Sequence, residues 1–199
     1  MYILAMLSML LDHVGIVFFP EEITYRIIGR LALPIYAFGI VQGFRHTSSF
    51  RRYVCRLLLL AAVSQIPFML AVSDSEINII GTFIICLVVL KLLGSMKNTA
   101  WKVLLIGGAA LALELFPFEY GCYVLVLVLI FHYSKSEILM HLVLNALFLP
   151  IMPLQVFSVL GTALIKSGFY VGRVPRWMWR SFYPAHLTII AVILYFYQR

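Results

Sequence analysis

Apolar runs of roughly 15–20 residues follow one another along most of this chain, and few folds accept that pattern. In a bilayer every backbone N–H and C=O must be satisfied internally, so only helices and closed barrels span it. Barrel strands would alternate polar and apolar residues over about ten positions. These runs are continuous instead, which predicts helices. The 199 residues are 63% hydrophobic and 12% charged, with a mean hydropathy of +1.03; soluble domains carry about 25% charged residues. The expectation is an all-α fold: a polytopic transmembrane helix bundle over residues 1–199, with no separate soluble domain.

Spans are expected at about Met1–Phe19, Ile27–Phe44, Tyr53–Val72 and Ile77–Leu93, then one ending near Phe116, then Tyr120–Tyr133. The loops between them alternate in charge. Glu21 and Glu22 are followed by Arg45, Arg51 and Arg52, then Asp74 and Glu76, then Lys97 and Lys102, then Glu114 and Glu119. Lys and Arg collect in cytoplasmic loops, which puts the N-terminus in the cytoplasm. Farther on, Glu137–Leu149 and Ile151–Ile165 are short and are separated by Pro150 and Pro153. Two short spans and a re-entrant pair are both open there. The segment from Lys166 to Arg180 mixes Arg173, Arg176 and Arg180 with Trp177 and Trp179 and reads as interfacial. A last span is expected over Phe182–Tyr197. The total is eight or nine spans, nine being favoured.

The net charge of +7 follows from that loop bias and does not call for nucleic acid. Cys55, Cys86 and Cys122 show no CxxC spacing and read as small buried hydrophobes. The N-terminus lacks a basic n-region, so no cleavable leader is expected. Five scattered histidines do not make a metal site, and no HExxH, Walker, GxSxG or Rossmann pattern occurs.

Asp12 and His13 lie inside the first apolar run. Ionisable groups at such depth cost several kcal/mol unless paired or facing a polar cavity. Ser8 and Asp12 share a helix face, whereas Asp12 and His13 diverge by about 100°. Asp12 therefore requires a cation from another helix, and topology nominates Arg30. Arg45, His46, Arg51, Arg52 and Arg56 form a basic cluster at a cytoplasmic end. Topology alone explains it, and so does an anion site for a nucleotide-bearing donor. Gln65, Asn78, His141, Asn145 and Tyr183 are polar groups suited to interhelical hydrogen bonds or to substrate.

Four stretches carry a family resemblance. AMLSMLLDHVGIVFFP (Ala5–Pro20), RIIGRLALPIYAFGIVQGFRHT (Arg26–Thr47), YVCRLLLLAAVSQIPF (Tyr53–Phe68) and FYPAHL (Phe182–Leu187) resemble the TraX family. The resemblance implies a bacterial cytoplasmic (inner) membrane protein that moves an acetyl group from acetyl-CoA to an amine or hydroxyl acceptor, which for the family's founding member is the N-terminus of conjugative pilin. It also implies kinship with multispan membrane acyltransferases, in which an intramembrane histidine is the expected base.

On that footing His13 is the expected base, with His186 a second candidate. Arg30 either stabilises the oxyanion or holds Asp12. Donor phosphates are expected at Arg45, Arg51, Arg52 or Arg56, and at Arg173 and Arg176. His13 lies about 18 Å of helix from the cytoplasmic start, so the donor arm must reach that depth. The acceptor is open among a pilin N-terminus, an envelope sugar and a small amine. Buried Asp, His and Arg also suit a proton-coupled transporter, and a scaffold subunit of a conjugation or secretion apparatus is a further alternative.

Overall fold

The computed structural model describes residues 2–168 and 174–197. Its elements are α1 (Tyr2–Phe18), α2 (Ile23–Gly29), α3 (Ala32–His46), α4 (Phe50–Ala71), α5 (Ile79–Ser95), α6 (Thr99–Leu115), α7 (Gly121–Tyr133) and α8 (Glu137–Phe148). A 3-10 turn (Pro153–Phe157), α9 (Ser158–Lys166) and α10 (Arg176–Tyr197) follow. The all-α expectation holds. Two helical stretches among the described residues are long and apolar enough to cross a membrane, Ile23–His46 and Phe50–Ala71. Several of the others are shorter apolar helices.

Four boundaries differ from the sequence expectation; the helix expected from Ile151 starts at Ser158, after the 3-10 turn. The second span begins at Ile23, so Arg26 is helical and not in a loop. It breaks at Arg30–Leu31. Pro34, in the first turn of α3, has no N–H for the Arg30 carbonyl, and its ring would clash there. The third span begins at Phe50, where Ser49 Oγ accepts the Arg52 N–H as a cap. This places Arg51 and Arg52 on α4 itself. The last helix begins at Arg176, six residues before the expected start.

Helix α7 lies at the centre, with Tyr123, Val124, Leu125, Leu127, Val128 and Phe131 fully buried. It packs against α3, α5, α6 and α8, while α1 packs against α2, α3 and α10. Helix α6 is peripheral and buries only Leu113. One end gathers Tyr2 beside Trp179, Arg45 on the last carbonyls of α7, and Lys166 paired with Glu137 at 3.0 Å. Helices α8 and α9 thus leave that end and return to it, α8 rising only about 18 Å.

Two glycines permit close approaches around the α2–α3 break. A Cβ on Gly29 would collide with the Asp12 side chain, so α1 and α2 meet there. At Gly161 of α9 it would lie 2.6 Å from Pro34 Cγ and 2.8 Å from the Leu31 carbonyl oxygen. We expect Gly161→Ala to cost about 1–3 kcal/mol by overpacking the α2–α3 break. Thermal unfolding in detergent checks this, and an unchanged midpoint would contradict it.

At the opposite end, the loop before α7 is tied to the loop before α5. Ile77 N–H donates to the Pro117 carbonyl, Glu119 N–H to the Ile77 carbonyl, and Ile79 N–H to Glu119 Oε2 at 2.8 Å. Burial pushes the Glu119 carboxyl up to about 8, with the Ile79 N–H opposing. A carboxyl raised on folding contributes stability that is complete below its unfolded value near 4.5 and is lost as pH rises through about 8. Unfolding measured across that window is expected to show a decline that Glu119→Gln abolishes.

Candidate functional site: a histidine pair beside a buried ion cluster

Asp12 and His13 leave α1 in different directions, as adjacent helical residues must. Ser8 Oγ donates to the Ile28 carbonyl on the face that carries Asp12, so this face lies on α2. Asp12 is buried between two arginines. Arg30 Nη2 lies 3.1 and 3.3 Å from Oδ1 and Oδ2, and Arg26 Nη1 lies 3.0 Å from Oδ1. Arg30 Nη1 also donates to Tyr120 Oη at 2.9 Å and to Gln155 Oε1 at 3.1 Å, and Nε to the Arg26 carbonyl at 3.2 Å. All three nitrogens of the guanidinium are thus engaged, with both Nη2 contacts going to the one carboxylate. Of its two expected roles, holding Asp12 is the one these contacts show.

His13 faces α10. Its Nδ1 is 2.7 Å from His186 Nε2, with the ring planes 4° apart and the centroids 5.0 Å apart. That centroid spacing exceeds the N···N distance by about two ring radii, so the bond runs in the plane of both imidazoles. His186 Nδ1 is 2.6 Å from the Phe182 carbonyl. A carbonyl only accepts, so His186 carries its proton on Nδ1, and its Nε2 is bare when the ring is neutral. His13 must then donate from Nδ1, which leaves its Nε2 as the free lone pair. The backbone of α10 thus sets both tautomers. His186, expected as an alternative base, is already bound at both nitrogens and orients His13.

Both histidines lie at similar depth. His13 is about 17 Å along α1 from Tyr2, and His186 about 15 Å along α10 from Arg176. Tyr183, one turn before His186, packs its ring edgewise on both, with centroids 6.4 Å from His13 and 5.7 Å from His186.

The other expected residues lie apart from this pair. Arg45 Nη2 donates to the carbonyls of Phe131 and His132 at 2.9 and 2.7 Å, satisfying the last turn of α7. His46 Nδ1 donates to the Gln42 carbonyl. Arg51, Arg52 and Arg56 are exposed along the start of α4. Arg173 and the side chain of Arg176 lie outside the described residues. Gln65 and Asn78 clasp α4 to α5: Asn78 Nδ2 donates to Gln65 Oε1 at 2.7 Å and to the Ala61 carbonyl at 2.9 Å, and Gln65 Nε2 to the Glu76 carbonyl. Asn78 Oδ1 also caps α5.

Sequence reasoning did not place Arg26, Tyr120 or Gln155 in the ion cluster. Nor did it foresee the buried set on α7, α8 and α9. There Tyr123 Oη donates to Asn145 Oδ1 at 3.0 Å, and Ser158 Oγ donates to the Gln155 carbonyl at 2.5 Å. His141 Nε2 meets both hydroxyls, and Thr162 Oγ1 lies 2.6 Å from His141 Nδ1. The i,i+4 spacing of His141 and Asn145 is the signal that one polar face exists.

The TraX protein family matches residues 1–194. The chain belongs to the TraX family. A curated relative, the probable fimbrial assembly protein FimC, serogroup H1, of Dichelobacter nodosus, is 24% identical over 233 residues, covering 98% of this chain and 95% of its own length. No solved structure matches. The two histidines of the pair come from the TraX-like motifs MLLDH and FYPAHL, and Arg30 comes from GRLALPIYAF. The pair therefore joins the first and last helices of this TraX-family chain.

Proposed function

We propose that this chain is a membrane-embedded acyltransferase that moves an acetyl group from acetyl-CoA to an amine or hydroxyl. The observation that carries this reading is the bare Nε2 of a buried His13, whose other nitrogen is bonded to an oriented neutral histidine. A neutral imidazole held in one tautomer is suited to general-base catalysis near pH 7. It takes a proton from the attacking amine or hydroxyl. The imidazolium that forms is stabilised through Nδ1–H by His186 Nε2, as a carboxylate does in a catalytic triad. The proton then goes to the departing thiolate of CoA. The C–N or C–O bond forms by addition to the thioester carbonyl, and the C–S bond breaks as the tetrahedral adduct collapses.

The bilayer reading rests on apolar exposure. Leu58, Leu59, Val63, Ile66 and Leu70 on α4, with Val103, Leu104, Leu111 and Leu115 on α6, are all exposed. A surface of that extent suits lipid and not water. We place nine helical passes in the bacterial inner membrane, with the stretch from α2 to α3 counted as one and the N-terminus cytoplasmic. Arg51, Arg52 and Arg56 then lie exposed on the cytoplasmic side, where donor phosphates arrive. A pilin N-terminus is one acceptor consistent with the FimC relative; an envelope sugar and a small amine fit the same chemistry.

Release of free CoA thiol by the reconstituted protein tests this. Release that needs both acetyl-CoA and membrane extract would support the reading. No release, with no stabilisation by acetyl-CoA, would favour a transporter or scaffold.

A further inference from the structure

Six buried side-chain polar atoms among the described residues make no hydrogen bond: Arg26 Nη1, Ser64 Oγ, His132 Nδ1, Glu137 Oε2, Gln155 Nε2 and Tyr183 Oη. Arg26 and Glu137 are matched by ion pairs at 3.0 Å. Of the rest, Tyr183 is the residue whose ring touches both members of the histidine pair. It is only 6% exposed. A buried hydroxyl without a partner is a net penalty, and phenylalanine would fill the same volume without it. The hydroxyl is thus explained by a group the folded chain does not itself supply.

The surroundings indicate what that group is. Trp179, Tyr183 and His186 follow one another at i, i+4 and i+7 on one face of α10. Below them, Trp179 is bracketed by Tyr2, with centroids 4.4 Å apart, and by Tyr36, with centroids 4.6 Å apart and planes within 15°. Above the Tyr183 ring, three of the four imidazole nitrogens are engaged, and His13 Nε2 is not. The pair and its neighbour therefore offer one unused acceptor, His13 Nε2, and one unused donor, the Tyr183 O–H. A ligand that meets both needs an N–H or O–H to give and an oxygen to receive a hydrogen bond.

We infer that Tyr183 is a catalytic residue whose hydroxyl donates a hydrogen bond to the carbonyl oxygen of an acyl thioester. This role rests on the acyl-transfer reading. As the nucleophile adds, negative charge gathers on that oxygen, and the phenol holds it without giving up its proton. The proton from the nucleophile goes to His13 Nε2 and on to the thiolate, so Tyr183 ends the cycle unchanged. The division of labour is one donor for the oxyanion and one base for the nucleophile.

The test is Tyr183→Phe in the full-length reconstituted protein, with kcat and KM for acetyl-CoA measured separately alongside thermal unfolding. Loss of a single oxyanion donor lowers kcat by about 10²–10³-fold. The KM is expected to stay within about threefold, since the bond strengthens only as charge develops. The unfolding midpoint is expected to hold or rise. Wild-type turnover matched by Tyr183→Phe would overturn this role alone. A variant that unfolds would also overturn it, by showing that the hydroxyl has a structural partner. No turnover by the wild type would overturn the acyl-transfer reading and this role with it.

Discussion

His13→Ala is expected to lower acetyl transfer by about 10²–10⁴-fold, the contribution of a positioned general base. The variant should fold, because His13 makes a single hydrogen bond and that bond is to another side chain. His186 should behave differently. His186→Leu leaves the base in place but removes the acceptor that fixes its tautomer, so the neutral ring can present the wrong nitrogen and loses its orientation. His186→Gln returns a carbonyl acceptor near the same place and should recover part of the loss. The expected order of rates is wild type, His186→Gln, His186→Leu, His13→Ala. Steady-state transfer by the four reconstituted proteins checks it. A His186→Leu variant less active than His13→Ala would exchange the two roles.

The second large effect concerns stability. Asp12 is 8% exposed, and it is the carboxylate between Arg26 and Arg30, the latter 6% exposed. Asp12→Ala would leave two guanidiniums facing each other with no anion. Breaking a buried ion pair from one side costs about 3–5 kcal/mol, because the remaining charge is buried and uncompensated. The double variant Asp12→Leu/Arg30→Leu should lose less than Asp12→Ala. It removes the buried charges together, and the half-buried Arg26 can turn toward water. Denaturant unfolding in detergent would show this as non-additivity. Equal losses for the double and the single variant would mean that the cluster is held by its neutral bonds through Tyr120 and Gln155.

The residues differ in how much of this was legible in the sequence. The continuous apolar runs announce helices, because a helix satisfies its backbone N–H and C=O groups within the run itself. The Asp12–Arg30 contact was also legible. The two helices are consecutive, so residues near one end of the first meet residues near the start of the second. The divergence of Asp12 and His13 followed from helical geometry alone. The partner of His13 did not follow, since it lies on the last helix, and no local pattern says which of several buried polar groups faces it. Arg45 reads as part of a basic cluster, yet it satisfies the end of α7, a choice made by tertiary packing. Pro34 did carry the signal for the break at Arg30, but apolar runs alone do not show where a helix is interrupted.

The most direct measurement is transfer of labelled acetyl from acetyl-CoA to a membrane-extract acceptor, run side by side for the wild type and His13→Ala in proteoliposomes. Label is expected in a discrete product with the wild type and none above background with the variant. Equal labelling by both would remove His13 from the chemistry, and absence of label from the wild type would contradict acyl transfer itself.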